Sequence, residues 1–306
     1  MPEDEKLSRK CDCLSDNTPP YIFDTHAHYF HNCFANMPNG MSREELLKTI
    51  YESNIKKCIV PAVNYWTNNE MKRLFDKPEY NWIYYAHASH PKYLRKEARE
   101  WDEKRWNDYA EMLGSPKCVA VGETGLDYSY SSFCLEHKKL QKKYFNTFID
   151  YANKYRLPVI LHIRSGLKDG VTDTDNRKNR CNADADTDAI AILREHPIKF
   201  GAVYHCFDGD IAKVKSYYDV GVTCFGIGGK IFYERDLEEA VHFMPEESIV
   251  LETDAPYINL PDRTEPNTSI SLWSIAERIA IVRKTTTERI IELTTQNAER
   301  VFHLTV

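Results

Sequence analysis

His26 and His28 stand two residues apart in the apolar run YIFDTHAHYF at 21–30. On an extended strand side chains alternate between faces, so both imidazoles point the same way and form a two-toothed clamp for a cation. Asp24 shares that face in the alternation, where it could orient one imidazole or serve as a structural partner. The pair gains weight from other ligand types at or near the ends of later runs. Glu123 closes KCVAVGET (117–124), His162 lies near the end of PVILHIR (158–164), His205 near the end of KFGAVYHC (199–206), and Asp254 at the end of SIVLETDA (248–255). Singly, a carboxylate there caps the next helix and a histidine is a hydrogen-bonded core residue. Together, four imidazoles and two carboxylates are the donor set of a divalent metal site.

Such scattered residues need a framework that gathers strand ends. Three further apolar runs, KKCIVPAV (56–63), NWIYYAHAS (81–89) and VTCFGIG (222–228), bring the number to eight. Most are nearly continuous in apolar residues, as parallel strands covered on both faces must be. Helical stretches separate them. Ser42 and Glu45 form a capping box before Leu46, Leu47 and Ile50. The segment 134–156 sets Leu140, Tyr144, Phe148 and Ala152 on one face, ending at the Leu157-Pro158 step. A short helix spans Asp210 to Asp219 and is closed by Gly221. Thr285 and Glu288 repeat the capping spacing before the last helix. Eight alternating units predict an α/β fold, a (β/α)8 TIM barrel, whose strand ends converge on one rim. An open doubly wound sheet is the alternative, but it normally carries a glycine-rich phosphate turn where this chain carries histidines.

Composition narrows the function classes. The chain has 306 residues and 42% hydrophobic content, enough to bury one large core over 21–306. No window of about eighteen apolar residues suggests a membrane span. Residues 1–20 mix charges with turn formers and read as a flexible tail on a cytoplasmic protein. Nine cysteines, an odd number without regular spacing, argue against a disulfide framework. Cys11 and Cys13 lack the second pair a structural metal site would need. A net charge of −6 opposes wrapping duplex DNA on a broad basic surface. A small phosphate site can still operate if bound cations supply the positive charge.

The motifs FDTHAH, VGETGLDY, LHIRS, YHCFDG and LETDAPY, followed by RTEPNTSISLW and QNAERVF, resemble the successive signatures of the TatD deoxyribonuclease family within the amidohydrolase superfamily. The resemblance runs from about residue 21 to 303. It implies a TIM barrel, two divalent metal ions, and hydrolysis of phosphodiester bonds, as a 3′ to 5′ exodeoxyribonuclease on single-stranded or frayed DNA. Carried over by position, His26, His28 and Asp254 would hold one ion, Glu123 would bridge both, and His162 and His205 would complete the second. Zinc or manganese suits these donors, and magnesium suits them if waters fill the remaining positions. Two such ions roughly 4 Å apart could generate hydroxide from a shared water and offset charge on the phosphate oxygens. Asp254 could then accept a proton.

Supporting positions follow. His90 matches a family histidine near the substrate, with a plain loop residue as the alternative. Arg164, two residues beyond His162, could grip a phosphate oxygen or pair with a carboxylate. Asp127 and Tyr128, after Gly125, could shape the entrance, although turn formation alone explains the pattern. Two features depart from the family. An acidic insertion at about 167–188 is longer than the usual connection and reads as a surface loop. Asp208 stands where many relatives have a small hydroxyl residue, and its charge beside His205 would disfavour a phosphate. DNA or another nucleic acid, which the resemblance implies, is the leading substrate, and Asp208 counts against it. D-aminoacyl-tRNA deacylation, another ester or amide hydrolysis at the same site, and a non-catalytic role as an interaction subunit are the alternatives.

Overall fold

A computed structural model describes residues 20–129, 135–166, 184–261 and 263–304. Eight parallel strands form one sheet in chain order. They are β1 (Ile22–Asp24), β2 (Ile55–Pro61), β3 (Ile83–His87), β4 (Cys118–Asp127), β5 (Val159–Arg164), β6 (Ala202–Tyr204), β7 (Cys224–Ile227) and β8 (Ile249–Leu251). The circle closes between β8 and β1 through a parallel bridge from Ala27 to Ala255 and hydrogen bonds from Thr25 N to Leu251 O (3.0 Å) and Asp254 N to His26 O (2.8 Å). The fold is the expected TIM barrel.

Helices cover the outer face: α1 (Arg43–Glu52), α2 (Tyr65–Phe75), α3 (Pro91–Glu97), α4 (Glu103–Leu113), α5 (Leu135–Tyr155), α6 (Ala185–Glu195), α7 (Ile211–Tyr218), α8 (Arg235–Phe243), α9 (Leu272–Arg283) and α10 (Thr287–Val301). The capping box at Ser42 and Glu45 forms in full. Asp210 caps α7, and Gly221, at φ +91°, supplies the left-handed turn beyond it. The last helix departs by one residue from the reading above. Thr286, rather than Thr285, accepts the hydrogen bond from Arg289 N and caps α10. The expected tail at 1–20 lies outside the described residues apart from residue 20. Of the insertion at about 167–188, only 184–188 are described, and these form the cap and first turn of α6, because Asp184 accepts from Thr187 N. Among the described residues no helix is long and apolar enough to cross a membrane, and all five cysteines are free thiols.

Strand parity divides the core. Phe23, Ile59, Ala86, Ala120, Ile160, Val203, Cys224 and Val250, one from each strand, fill the barrel interior. Their flanking residues, such as Ile22, Val60, Leu161 and Leu251, pack outward against the helices. Ala298, Val301 and Phe302 at the end of α10 plug the bottom of the interior. The opposite end, where the strands finish, is left to polar side chains.

Candidate active site

Parity carries most of those side chains inward. Two residues beyond Ile160 is His162, two beyond Val203 is His205, and two and four beyond Val250 are Glu252 and Asp254. Glu123 and the first-strand histidines break this count. On β4 the register slips between Val121, paired with Val159, and Thr124, paired with Leu161, so one extra residue enters and turns Glu123 inward. The strand then continues to Asp127, so Glu123 lies within it rather than closing it. Gly125 is required beside the site, since a Cβ there would stand 2.2 Å from His162 O. On β1 the ladder stops at Asp24 and the chain bends at Thr25. His26 and His28 therefore face the interior while Asp24 does not share their face. The Asp24 carboxylate instead accepts from His26 N (3.2 Å), Thr253 Oγ1 (2.8 Å) and Ser269 Oγ (2.6 Å), tying the end of β1 to the segment after β8. Burial, opposed by these donors, lifts its pKa to about 7.

All six expected ligands meet at the top of the barrel, with Glu123 at the centre. Its Oε2 faces His26 Nε2 at 3.5 Å and His28 Nε2 at 3.7 Å. Its Oε1 faces His162 Nδ1 at 2.7 Å and His205 Nε2 at 3.8 Å. Asp254 Oδ1 lies 3.2 Å from His28 Nε2, 3.7 Å from His26 Nε2 and 3.8 Å from His205 Nε2. The two strand-one Nε2 atoms are 3.2 Å apart.

Buried partners set the tautomers. His28 Nδ1 lies 3.2 Å from Pro61 O, an acceptor only, so it carries the proton and the Nε2 lone pair turns to the centre. Asp127 Oδ2 accepts from His162 Nε2 at 2.9 Å, which turns Nδ1 inward. Glu252 Oε1 stands 3.1 Å from His205 Nδ1, close enough for charge pairing although the N–H line does not make a regular hydrogen bond. Imidazoles braced from behind by carboxylates or carbonyls are the usual support of metal-bound histidine. The donor set fits divalent cations. Ligands of a tetrahedral ion with bonds of about 2.0–2.1 Å lie roughly 3.3 Å apart, close to the spacing of the two Nε2 atoms. Burial, then the neighbouring His205, lowers the pKa of His26 to about 4 and keeps it neutral. Burial also opposes charge on His162 and His205, but Asp127 and Glu123 raise the first to about 10, and Glu252 with Asp254 raise the second to about 9. Cation binding at those two imidazoles therefore competes with protons.

The supporting residues divide. His90 caps α3, accepting from Lys92 N at Nδ1 (3.0 Å) and holding Nε2 3.5 Å from Glu123 Oε1. Its lone pair is thus already used, so it offers the cavity an N–H rather than a metal ligand. Arg164 is exposed on the cavity wall. Asp127 is buried behind His162, where it orients the imidazole instead of lining the entrance. Tyr128 is fully buried, with its hydroxyl donating to Asp188 Oδ2 at 2.8 Å, because strand parity turns it away from the opening. Asp208 lies between Lys213 (3.0 Å) and Lys230 (2.9 Å), so its charge is matched by two lysines. Several polar residues escaped the sequence reading, among them Glu252, Lys230, Lys92, Tyr93 and Tyr257. Glu252 shares the inward face of Val250 and Asp254, a parity signal available in SIVLETDA. Lys230 follows β7 and had no motif to flag it.

His28, Glu123, His162, His205 and Asp254 line an open cavity of about 430 Å³, with Lys92, Tyr93, Arg164, Lys230 and Tyr257 around them. A family model for TatD-related DNases matches residues 23–303. The chain belongs to the TatD-related DNase family. As a TatD-type protein it is a metal-dependent hydrolase. An uncharacterized metal-dependent hydrolase of Buchnera aphidicola is 29% identical, over 93% of this chain and 100% of its own. A protein named 3′-5′ ssDNA/RNA exonuclease TatD from Citrobacter rodentium is 26% identical, over 86% of this chain and 92% of its own. The fold is shared with a TatD homolog from Escherichia coli K12 (TM-score 0.72, 24% identity, 92% of this chain and 98% of that one). A TatD family hydrolase from Entamoeba histolytica shares it too (TM-score 0.75, 16% identity, 94% and 100%).

Proposed function

We propose that this TatD-family hydrolase cleaves phosphodiester bonds at the 3′ end of single-stranded or frayed DNA, shortening it toward the 5′ end. The observation that carries the reading is the Glu123 carboxylate, whose two oxygens face separate histidine groups, His26 with His28 and His162 with His205. A carboxylate so placed would bridge two cations, the first held also by Asp254. Bound cations would acidify a water and offset the charge that builds on phosphate oxygens. The naming of relatives as 3′-5′ ssDNA/RNA exonucleases supports the substrate class.

The chain's own residues supply the rest. Arg164 and Lys230 bring positive charge to the cavity wall, where a phosphate oxygen would lie, and His90 Nε2–H adds a hydrogen-bond donor beside Glu123. Asp254 is held as a carboxylate: burial alone would raise its pKa, but His205 and His28 bring it below the usual carboxylate range. It is the group positioned to take a proton from the attacking water and later return it to the leaving oxygen. With its charge matched by two lysines, Asp208 gives no preference for a cationic substrate. The test is a single-stranded oligonucleotide labelled at its 5′ end, incubated with protein stripped of metal and resupplied with manganese. Progressive shortening from the 3′ end with release of 5′-mononucleotides is expected. Intact oligonucleotide alongside rapid cleavage of a small carboxylic ester would overturn the assignment.

A further inference from the structure

Asp208 is a single anion between two cations. It sits in the turn after β6, followed by Gly209 at φ +131° and by Asp210, the cap of α7. Its Oδ1 lies 3.0 Å from Lys213 Nζ and its Oδ2 2.9 Å from Lys230 Nζ. The two lysines are not equivalent. Lys213 is also 3.1 Å from Asp186 Oδ1, on the helix side of the turn. Lys230 has Asp208 as its one carboxylate within ion-pair distance among the described residues, with the carbonyl of Cys206 at 3.3 Å. Lys230 and Asp208 both line the catalytic cavity, next to His205, Asp254 and Arg164.

We propose that Asp208 is a specificity-determining residue that competes with substrate phosphate for Lys230. In the resting arrangement Lys230 is paired to Asp208. An entering phosphate draws the ammonium into the cavity, and Asp208 keeps Lys213, so the exchange leaves no carboxylate bare. The Asp208 side chain is 42% exposed and that of Lys230 25% exposed, so water reaches the pair and a phosphate entering the cavity can reach the ammonium. Asp208 thereby raises the anionic charge a ligand must bring before Lys230 is recruited. Neutral and cationic esters do not recruit it. The inference rests on the nucleic-acid reading given above and deepens it.

The experiment measures KM and kcat for a single-stranded oligonucleotide between 50 and 200 mM salt, in wild type, Asp208→Asn, Lys230→Met and the double variant. In Asp208→Asn, KM is expected to fall about three- to fivefold at low salt, the range a partly exposed ion pair supports. Its log–log salt slope should stay at the wild-type value, because Lys230 meets the phosphate in both proteins, whereas Lys230→Met should flatten the slope by about 0.7, one phosphate contact fewer on a single strand. Lys230→Met should raise KM, and adding Asp208→Asn to it should give no gain. Asp208→Glu keeps the charge, so it should not show the fall in KM expected of Asp208→Asn, and the same fall in it would overturn the inference. An unchanged or higher KM in Asp208→Asn, or the same gain in the Lys230→Met background, would overturn the inference while leaving the nuclease reading intact. Absence of oligonucleotide cleavage by the wild type would instead strike the nuclease reading itself.

Discussion

Replacing Asp254 by asparagine removes one negative charge and one proton acceptor while preserving shape. Asp254 has φ +54°, in the left-handed region that asparagine tolerates better than most residues. The turn hydrogen bond from Tyr257 N to its carbonyl (2.8 Å) is a backbone contact and survives the change. The side chain's Oδ1 is 3.2 Å from His28 Nε2, so an amide oxygen in the same place can still serve as a weak neutral ligand. Cation binding at the His26–His28 position should weaken without disappearing. The proton acceptor, by contrast, is lost outright. Removing a positioned general base lowers turnover about a hundred- to ten-thousand-fold, or roughly 3–5 kcal/mol of transition-state stabilisation. The assay is kcat on an oligonucleotide at manganese concentrations that saturate each variant, with bound metal counted by mass spectrometry and folding checked by thermal melting. A kcat within tenfold of wild type at equal metal content would refute the role given to Asp254.

Three further outcomes follow from particular contacts. Asp127→Ala removes the acceptor that holds His162 Nε2, and supporting carboxylates of this kind are worth about 10–100-fold in metal affinity. Calorimetric titration with manganese should show that loss at one binding event and not the other. Gly226→Ala would place a Cβ 2.0 Å from Glu252 Oε2, on a buried residue whose carboxylate is held by Cys206 N, so it has little room to yield. About 1–3 kcal/mol of stability should be lost in urea denaturation, the usual effect of overpacking. Tyr128→Phe deletes the hydroxyl bonded to Asp188 away from the cavity, so it should lower stability by about 1 kcal/mol. Its KM for the oligonucleotide should stay at the wild-type value, and a clear rise would restore Tyr128 to the substrate site.

The barrel was legible because all eight strands are short apolar runs in regular alternation with helices, and every run overlaps an observed strand, although β2 begins one residue before its run and β4 continues three residues past its own. The ligand set was legible because its members sit near strand ends, where a parallel barrel gathers them. What was hidden depended on irregularity. Glu123 turns inward only because of an inserted residue on β4, and His26 and His28 separate from Asp24 only because the chain bends at Thr25. Alternation counted along the sequence carries no mark of either event. Glu252 was in principle readable from the same alternation as Asp254, but a carboxylate inside an apolar strand resembles any strand-end residue until the neighbour it braces, His205, is known. The lysines that neutralise Asp208 come from α7 and from the turn after β7, and charge matching across 22 positions is not visible in a string.

Anomalous scattering from crystals soaked in manganese would test the arrangement around Glu123 most directly. Two peaks are expected, one on each side of its carboxylate, the first against His26, His28 and Asp254 and the second against His162 and His205. A single peak, or peaks that leave Glu123 outside ligand distance of either ion, would contradict the bridged two-cation site.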